Sequence, residues 1–435
     1  VSERRVRGAA AVDGQVRVPG DKSISHRALI LGALIRGRSY LGNVSPAADV
    51  AATARVLQEC AGAVRPFDDG RVSLDGAGPG LTLRSPDHPL DCANSGTTMR
   101  LMAGVLAAHD AVATLTGDSS LQRRPMERVA LPLRAMGAGV TTDGGHAPVV
   151  VRGTARPLGI EHHLPVASAQ VKSAILLAGL NADGPTVVHE PLPTRDHTER
   201  ILRACGADLE SDGAAVTLRP SHLEPFGLRI PGDISSAAFF MVLAGAHAGW
   251  RVRCAGIGLN PGRTGILEVL AAMGARVEVE EGEPAAGVEP QGDVVVTGAP
   301  LHGVTVEAAM VPRCIDELPI LAVAASQAEG RTEFHGAGEL RHKESDRIAA
   351  LVAGLRALGV AAEETADGLI VDGPSRLRPA RLDSAGDHRL AMAWAIAAAL
   401  IDPGAGGCVI AGAETADVSY PGFFDDLDGL INGSR

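Results

Sequence analysis

Val18-Pro19-Gly20-Asp21-Lys22-Ser23 and Ile230-Pro231-Gly232-Asp233-Ile234-Ser235 lie about half a chain apart and share Pro-Gly-Asp ahead of an apolar helical run. A lead-in repeated at that spacing implies two similar halves. A shorter period runs through both. Gly62-Ala63-Val64, Gly137-Ala138-Gly139-Val140, Gly206-Ala207-Asp208-Leu209, Gly274-Ala275-Arg276-Val277 and Gly359-Val360 each follow an apolar helical stretch and precede a strand-like one, with each Gly placed where a helix ends. A second series of helices is predicted to start at Ser23, Ser95, Ser168, Ser235, Asp316 and Asp387, again at roughly 70-residue intervals. Six units in two groups of three follow.

Members of this second series, such as Ala169 to Leu180 and Leu390 to Leu400, are apolar on nearly every face, so they are expected to be buried. Their N-termini then become important. Unpaired N–H groups and the positive end of the helix dipole make such termini suited to anions, although Ser and Asp can also serve only as caps.

Composition narrows the possibilities. The 435 residues exceed one ordinary core, and 46% hydrophobic residues with 53 Gly and only 3% aromatics describe a tightly turned protein whose cores are built from Ala, Val, Leu and Ile. A net charge of −11 argues against nucleic acid or an anionic membrane as partner, so any charge that binds an anion must be local. No apolar run approaches a membrane span and Val1-Ser2-Glu3-Arg4-Arg5 carries no signal core, which predicts a soluble, cytoplasmic protein. The six cysteines are scattered, with no C-x-x-C and no His read at ligand spacing, so buried, reduced thiols are expected rather than structural zinc or disulfides.

Local cations concentrate at the predicted helix starts. In Pro19 to Arg27, Lys22, Ser23 and Arg27 are placed in the first turn of a helix, a cradle for phosphate or carboxylate that lacks the P-loop pattern; alone, Lys22 reads equally well as a solvated lysine. Asn94 to Arg100 sets Gly96 at a helix start, where a ligand can approach the backbone, and Arg123-Arg124-Pro125 reads either as the lead into another helix or as a charged turn. Lys343 and Arg347, read as i, i+4 on one helix, place like charges together, a penalty that a bound anion reverses; a Glu344–Arg347 ion pair is the alternative. Asp316-Glu317 and Asp387-His388-Arg389 stand at two more helix mouths.

In combination and order, Pro19 to Arg27, Asn94 to Arg100, Arg124-Pro125, Ser168-Ala169-Gln170, Arg195-Asp196-His197, Lys343 to Arg347 and Asp387-His388-Arg389 resemble the signature of 5-enolpyruvylshikimate-3-phosphate synthases, from about residue 15 to residue 425. The resemblance implies an α/β fold, a two-globule inside-out α/β barrel of six pseudo-repeated units. Residues 20–231 form the N-terminal globule, mainly binding shikimate 3-phosphate. Residues 232–435, joined by strand 1–19, form the C-terminal globule with phosphoenolpyruvate-binding and catalytic groups, and substrates are held in a cleft that closes on them.

Carried over by resemblance, Lys22, Ser23, Arg27, Ser168, Ala169, Gln170, Arg195, Asp316 and Lys343 are shikimate 3-phosphate ligands. Lys22, Gly96, Arg124, Gln170, Arg347 and Arg389 are phosphoenolpyruvate ligands. Asp316 and Glu344 are the proton-transfer carboxylates, with Lys22 assisting. No metal or organic cofactor is implied, and a monomer is expected. One departure stands out: Val418 lies where many members carry a lysine, which puts one phosphate contact in question. The rival within the same fold, UDP-N-acetylglucosamine enolpyruvyl transferase, has a reactive cysteine before its Arg-Pro, whereas no Cys lies between Leu101 and Arg128 here. A non-catalytic anion-binding scaffold is the rival from another class.

Overall fold

The computed structural model describes residues 2–62, 64–66, 70–76, 78 and 83–433, so Val1 and Ala63 of the sequence reading lie outside the described residues. The chain divides into two compact units. One, the N-terminal globule, comprises Gly20–Ile230 and Pro284–Glu289; the other, the C-terminal globule, comprises Val1–Pro19, Pro231–Glu283 and Pro290–Arg435. The short Pro284–Glu289 segment departs from the expected boundaries. Ala285 and Val288 are buried in the N-terminal core, and Glu289 accepts from His197 Nδ1 at 2.7 Å, which anchors the excursion there.

Among the described residues, each globule has three sheets and its own hydrophobic core. In the N-terminal globule the strand orders are Gly227–Arg229, Gly37–Gly42, Val72–Gly76, Val64–Pro66; Leu90–Asp91, Val112–Thr116, His146–Arg152, Gly139–Asp143; and Glu161–His163, Thr186–His189, Ala215–Leu218, Leu209–Ser211. Each follows one rule: the first pair is parallel and the next two are antiparallel. The C-terminal globule repeats that rule in Asp13–Val16, Arg251–Gly258, Gln291–Thr297, Arg276–Glu281 and in Thr305–Val306, Gly330–Phe334, Leu369–Gly373, Ala361–Glu364. Its third sheet is a three-stranded version, Arg381–Asp383, Cys408–Ala411 and Glu3–Val6. The sixfold repeat is therefore a repeat of strand pairing, not only of helix ends.

The second series of helices is Lys22–Leu34, Gly96–Ala107 and Ala169–Gly179 in the N-terminal globule, and Ile234–Gly245, Leu318–Ala325 and His388–Ala399 in the C-terminal one. Every residue of Ile234–Gly245 and of His388–Ala399 is buried, as their all-round apolar sequences require. Small residues allow the close packing this demands: a Cβ on Gly104 would lie 2.3 Å from the Ala174 carbonyl oxygen. The five glycines that end the outer helices all take positive φ, from 65° at Gly62 to 108° at Gly274, where a side chain would be strained.

The caps divide into two groups. Ser95, Ser168 and Asp387 are N-caps whose side chains accept a backbone N–H, as expected. At the other three starts the cap is not the predicted residue: Asp21 and Asp233, the aspartates of the repeated Pro-Gly-Asp, lie two residues upstream of Ser23 and Ser235, and Glu317 lies one residue downstream of Asp316. An aspartate already in cap position takes the orphan N–H, which leaves both serine hydroxyls available for other contacts.

Candidate active site

In the N-terminal globule the first turn of Lys22–Leu34 carries Lys22 and Ser23, whereas Arg27 sits one turn further in. Lys22 Nζ is held by Asp49 Oδ2 at 2.9 Å. Arg27 is buried: its Nε donates to Thr198 Oγ1 at 2.8 Å, Nη2 to Ser173 Oγ at 2.9 Å, and Nη1 back to the Ser23 carbonyl at 2.9 Å. Ser23 Oγ accepts from Arg195 Nη1 at 3.3 Å. Ser23, Arg27 and Arg195 are thus linked at a helix start that also carries Lys22. Behind Arg27, buried Lys172 bridges Glu190 and Glu199 at 2.6 and 2.7 Å. Burial alone would lower the Lys172 ammonium, but Glu199 and Glu190 outweigh it and hold its pKa above the ordinary value.

A second group gathers at the start of Gly96–Ala107. Arg124 Nη2 donates to Asn94 Oδ1 at 2.6 Å, and Arg100 Nη1 to Gln170 Oε1 at 2.5 Å. Gln170 Nε2 donates to Thr97 Oγ1 at 2.9 Å. A Cβ on Gly96 would lie 2.9 Å from Arg100 Nη1 and 3.3 Å from Arg124 Nη1. Gly96 thus faces two guanidinium groups. Ser168 caps the helix whose first two residues are Ala169 and Gln170, so all three belong to one N-terminus. Pro125 does not open the next helix, which begins at Glu127; Arg124 lies in the turn before it.

The C-terminal globule centres on Arg347. Its Nε donates to Asp387 Oδ2 at 2.7 Å, its Nη2 to Glu344 Oε2 at 2.6 Å, and its Nη1 lies 3.8 Å from Asp316 Oδ1. The two expected proton-transfer carboxylates therefore meet on one buried guanidinium. Burial works against the charge on Arg347, and Asp387 and Glu344 override it. Lys343, by contrast, is not on a helix with Arg347. It ends the 3-10 turn Gly338–His342 in an extended conformation, and the helix Arg347–Ala357 starts only after the Asp346 cap. The i, i+4 reading is corrected on that point: Asp346 sets the helix start four residues late, and the Glu344–Arg347 ion pair is present.

Two residues outside the expected set join this cluster. Ser235 Oγ donates to buried Glu317 and accepts from Arg263, which also reaches Asp233 at 3.3 Å, while Arg389 Nη1 donates to the Ser235 carbonyl at 3.3 Å. Burial raises the Glu317 carboxyl above the ordinary range, Arg263 opposes that rise, and Asp316 adds to it. Glu317 and Arg263 carry no motif of their own; the doubled carboxylate Asp316-Glu317 was the available signal. Val418 is half-buried at the end of the turn Ala413–Val418 and brings no cation. All six cysteines are buried and free, and burial pushes the Cys60 and Cys205 thiols up to about 12, which disfavours a nucleophilic thiolate.

A family model described as EPSP synthase (3-phosphoshikimate 1-carboxyvinyltransferase) matches residues 6–427. The chain belongs to this family. It is 48% identical to the 3-phosphoshikimate 1-carboxyvinyltransferase of Roseiflexus castenholzii, with 98% of each chain covered, and 49% identical to that of Acidithiobacillus ferrooxidans, with 96% and 95% covered. Among solved structures, EPSP synthase from Acinetobacter baumannii superposes with a TM-score of 0.86 at 41% identity, covering 98% of both chains. The enolpyruvyl transferase NikO from Streptomyces tendae shares the fold at TM-score 0.78 and 19% identity, over 98% of this chain and 96% of its own. Membership in the EPSP synthase family makes the protein a transferase of aromatic amino acid biosynthesis. Its reaction moves the enolpyruvyl group of phosphoenolpyruvate to the 5-hydroxyl of shikimate 3-phosphate and releases phosphate.

Proposed function

We propose that the two clusters of cations divide this reaction between them. Lys22, Ser23, Arg27, Ser168, Ala169, Gln170, Arg195, Asp316 and Lys343 bind shikimate 3-phosphate; Lys22, Gly96, Arg124, Gln170, Arg347 and Arg389 bind phosphoenolpyruvate. The N-terminal globule holds mainly the shikimate phosphate, and the C-terminal globule supplies the proton-transfer groups. Asp316 takes the proton of the 5-hydroxyl as its oxygen attacks C2 of phosphoenolpyruvate, and Glu344 delivers a proton to C3, with Lys22 assisting. The resulting tetrahedral ketal loses phosphate while Glu344 removes a proton from the new methyl group, which restores the enol ether.

The observation that carries this reading is the approach of both Asp316 and Glu344 to Arg347. A guanidinium suited to an anion beside two carboxylates suited to proton transfer supports it. The protein acts without metal or organic cofactor, as a cytoplasmic monomer that binds neither nucleic acid nor membrane; among the described residues no helix is long and apolar enough to cross a membrane. The deciding experiment measures phosphate release with both substrates, with and without EDTA. Release that needs both substrates and persists in EDTA is expected. No release, or release abolished by EDTA, sinks the reading.

A further inference from the structure

Sequence spacing along the chain shows no metal-ligand pattern, but strand pairing creates one across the chain. Glu161–His163 is a three-residue edge strand, parallel to Thr186–His189, with Glu161 opposite Val187 and His163 opposite His189. Side chains alternate along a strand, so Glu161 and His163 point to one face, and cross-strand pairing puts His189 on that face beside His163. The two imidazoles stack with centroids 4.2 Å apart and planes 6° from parallel. Nε2 of His189 lies 2.9 Å from Glu161 Oε1, and Nε2 of His163 lies 3.9 Å from the same oxygen. The three potential ligand atoms all fall within 4.8 Å of one another.

We propose that Glu161, His163 and His189 form a surface site for a zinc-class divalent ion, independent of the metal-free catalytic reading above. Two imidazole nitrogens and one carboxylate oxygen make a borderline ligand set that suits zinc and leaves a position for water, whereas magnesium and calcium prefer oxygen ligands throughout. Zinc–ligand bonds of about 2.0–2.2 Å require ligand atoms roughly 3.3 Å apart, so the stacked rings must splay and their nitrogens close in on the oxygen. That adjustment falls on accessible side chains: Glu161 and His163 are 65% and 74% exposed. The less mobile ligand, His189, is 31% exposed and sits on a strand paired on both sides, which gives the site a fixed point. A bound ion would clip the short edge strand to its neighbour.

The test uses the full chain without a histidine tag, stripped with chelator and titrated with zinc chloride by calorimetry and thermal denaturation. One saturable equivalent with micromolar affinity is expected, together with a zinc-dependent rise in Tm. His163→Ala and His189→Gln, each checked by circular dichroism for native folding, should each weaken binding by about tenfold or more and remove the Tm rise. Equal zinc uptake by wild type and a His163→Ala, His189→Gln double variant would overturn the site. So would an absence of saturable uptake, or a magnesium-induced rise in Tm as large as that with zinc.

Discussion

Arg347 and Asp387 form an ion pair almost closed to solvent, with Nε to Oδ2 at 2.7 Å and side-chain exposures of 2% and 0%. Asp387 also accepts the N–H of Arg389, so one carboxylate both caps the His388–Ala399 helix and holds the guanidinium in place. Asp387→Ala should therefore lower unfolding stability by about 3–5 kcal/mol, because it leaves part of a buried charge uncompensated. Urea denaturation checks this. A loss under about 1 kcal/mol would show that Glu344 and Asp316 suffice to hold Arg347.

Glu344→Gln should separate stability from chemistry. The amide oxygen can still accept from Arg347, so the urea midpoint should stay near that of the wild type, while turnover falls by about 10²–10⁴ with the loss of the proposed proton-transfer group. Asp316→Asn should lose turnover similarly and raise KM for shikimate 3-phosphate more. If both carboxylates are purely structural, the pattern reverses, with lower Tm and near-normal turnover.

At Gly96 an added methyl group meets the ends of two flexible arginines rather than backbone. Gly96→Ala should fold normally yet displace Arg124 and Arg100. The expected result is a higher KM for phosphoenolpyruvate and a larger loss in inhibition by glyphosate, an anionic competitor. Inhibition constants and KM measured on the same preparation decide it; the opposite ranking would refute the placement of Gly96 beside the anion.

Asp49 holds Lys22 from the neighbouring helix Ala48–Ala61. Asp49→Asn keeps the shape but removes the charge that fixes the ammonium, so kcat/KM should fall about tenfold with little change in Tm. A drop in Tm that accounts for all lost activity would assign Asp49 to the fold alone.

Acid stability should depend on His26, which is fully buried, bonded through Nδ1 to Thr53 Oγ1 at 2.7 Å, and held well below 6.5 first by burial and then by Lys22 and Arg27. Because the unfolded chain takes up this proton more readily than the folded one, the contribution is complete above about pH 6.5 and is lost as pH falls toward the lower folded value. Wild type should therefore lose more stability between about pH 7.5 and 5.5 than His26→Gln. Equal losses would remove His26 from the acid limb.

The sixfold architecture was legible because its signals are local. A glycine forced to positive φ, a capping side chain and an all-round apolar helix each report their own backbone. The misplaced caps show the limit: Ser23 and Ser235 have good capping chemistry, but Asp21 and Asp233 are two residues nearer the turn and take the role. Roles for the proposed site residues came only from their resemblance to family motifs. Asp49 and Arg263 carry no such signal, because each makes its contact with a residue distant in sequence, Lys22 and Ser235. The Lys343–Arg347 helix failed for the converse reason. Helical spacing was read across a stretch where the helix begins only after the Asp346 cap.

Strand pairing also imposes an order on synthesis. Glu3–Val6 and Asp13–Val16 leave the ribosome well before their partners, Cys408–Ala411 and Arg251–Gly258. The three sheets of the N-terminal globule can all be completed by the time Gly227–Arg229 joins Gly37–Gly42, while the two leading strands still wait. Their sequences, Glu-Arg-Arg-Val and Asp-Gly-Gln-Val, each offer only one aliphatic side chain; the rest is charged in the first and, apart from one glycine, charged or polar in the second. Such strands make poor templates for pairing with a stranger, so they stay available until their own partners have been made.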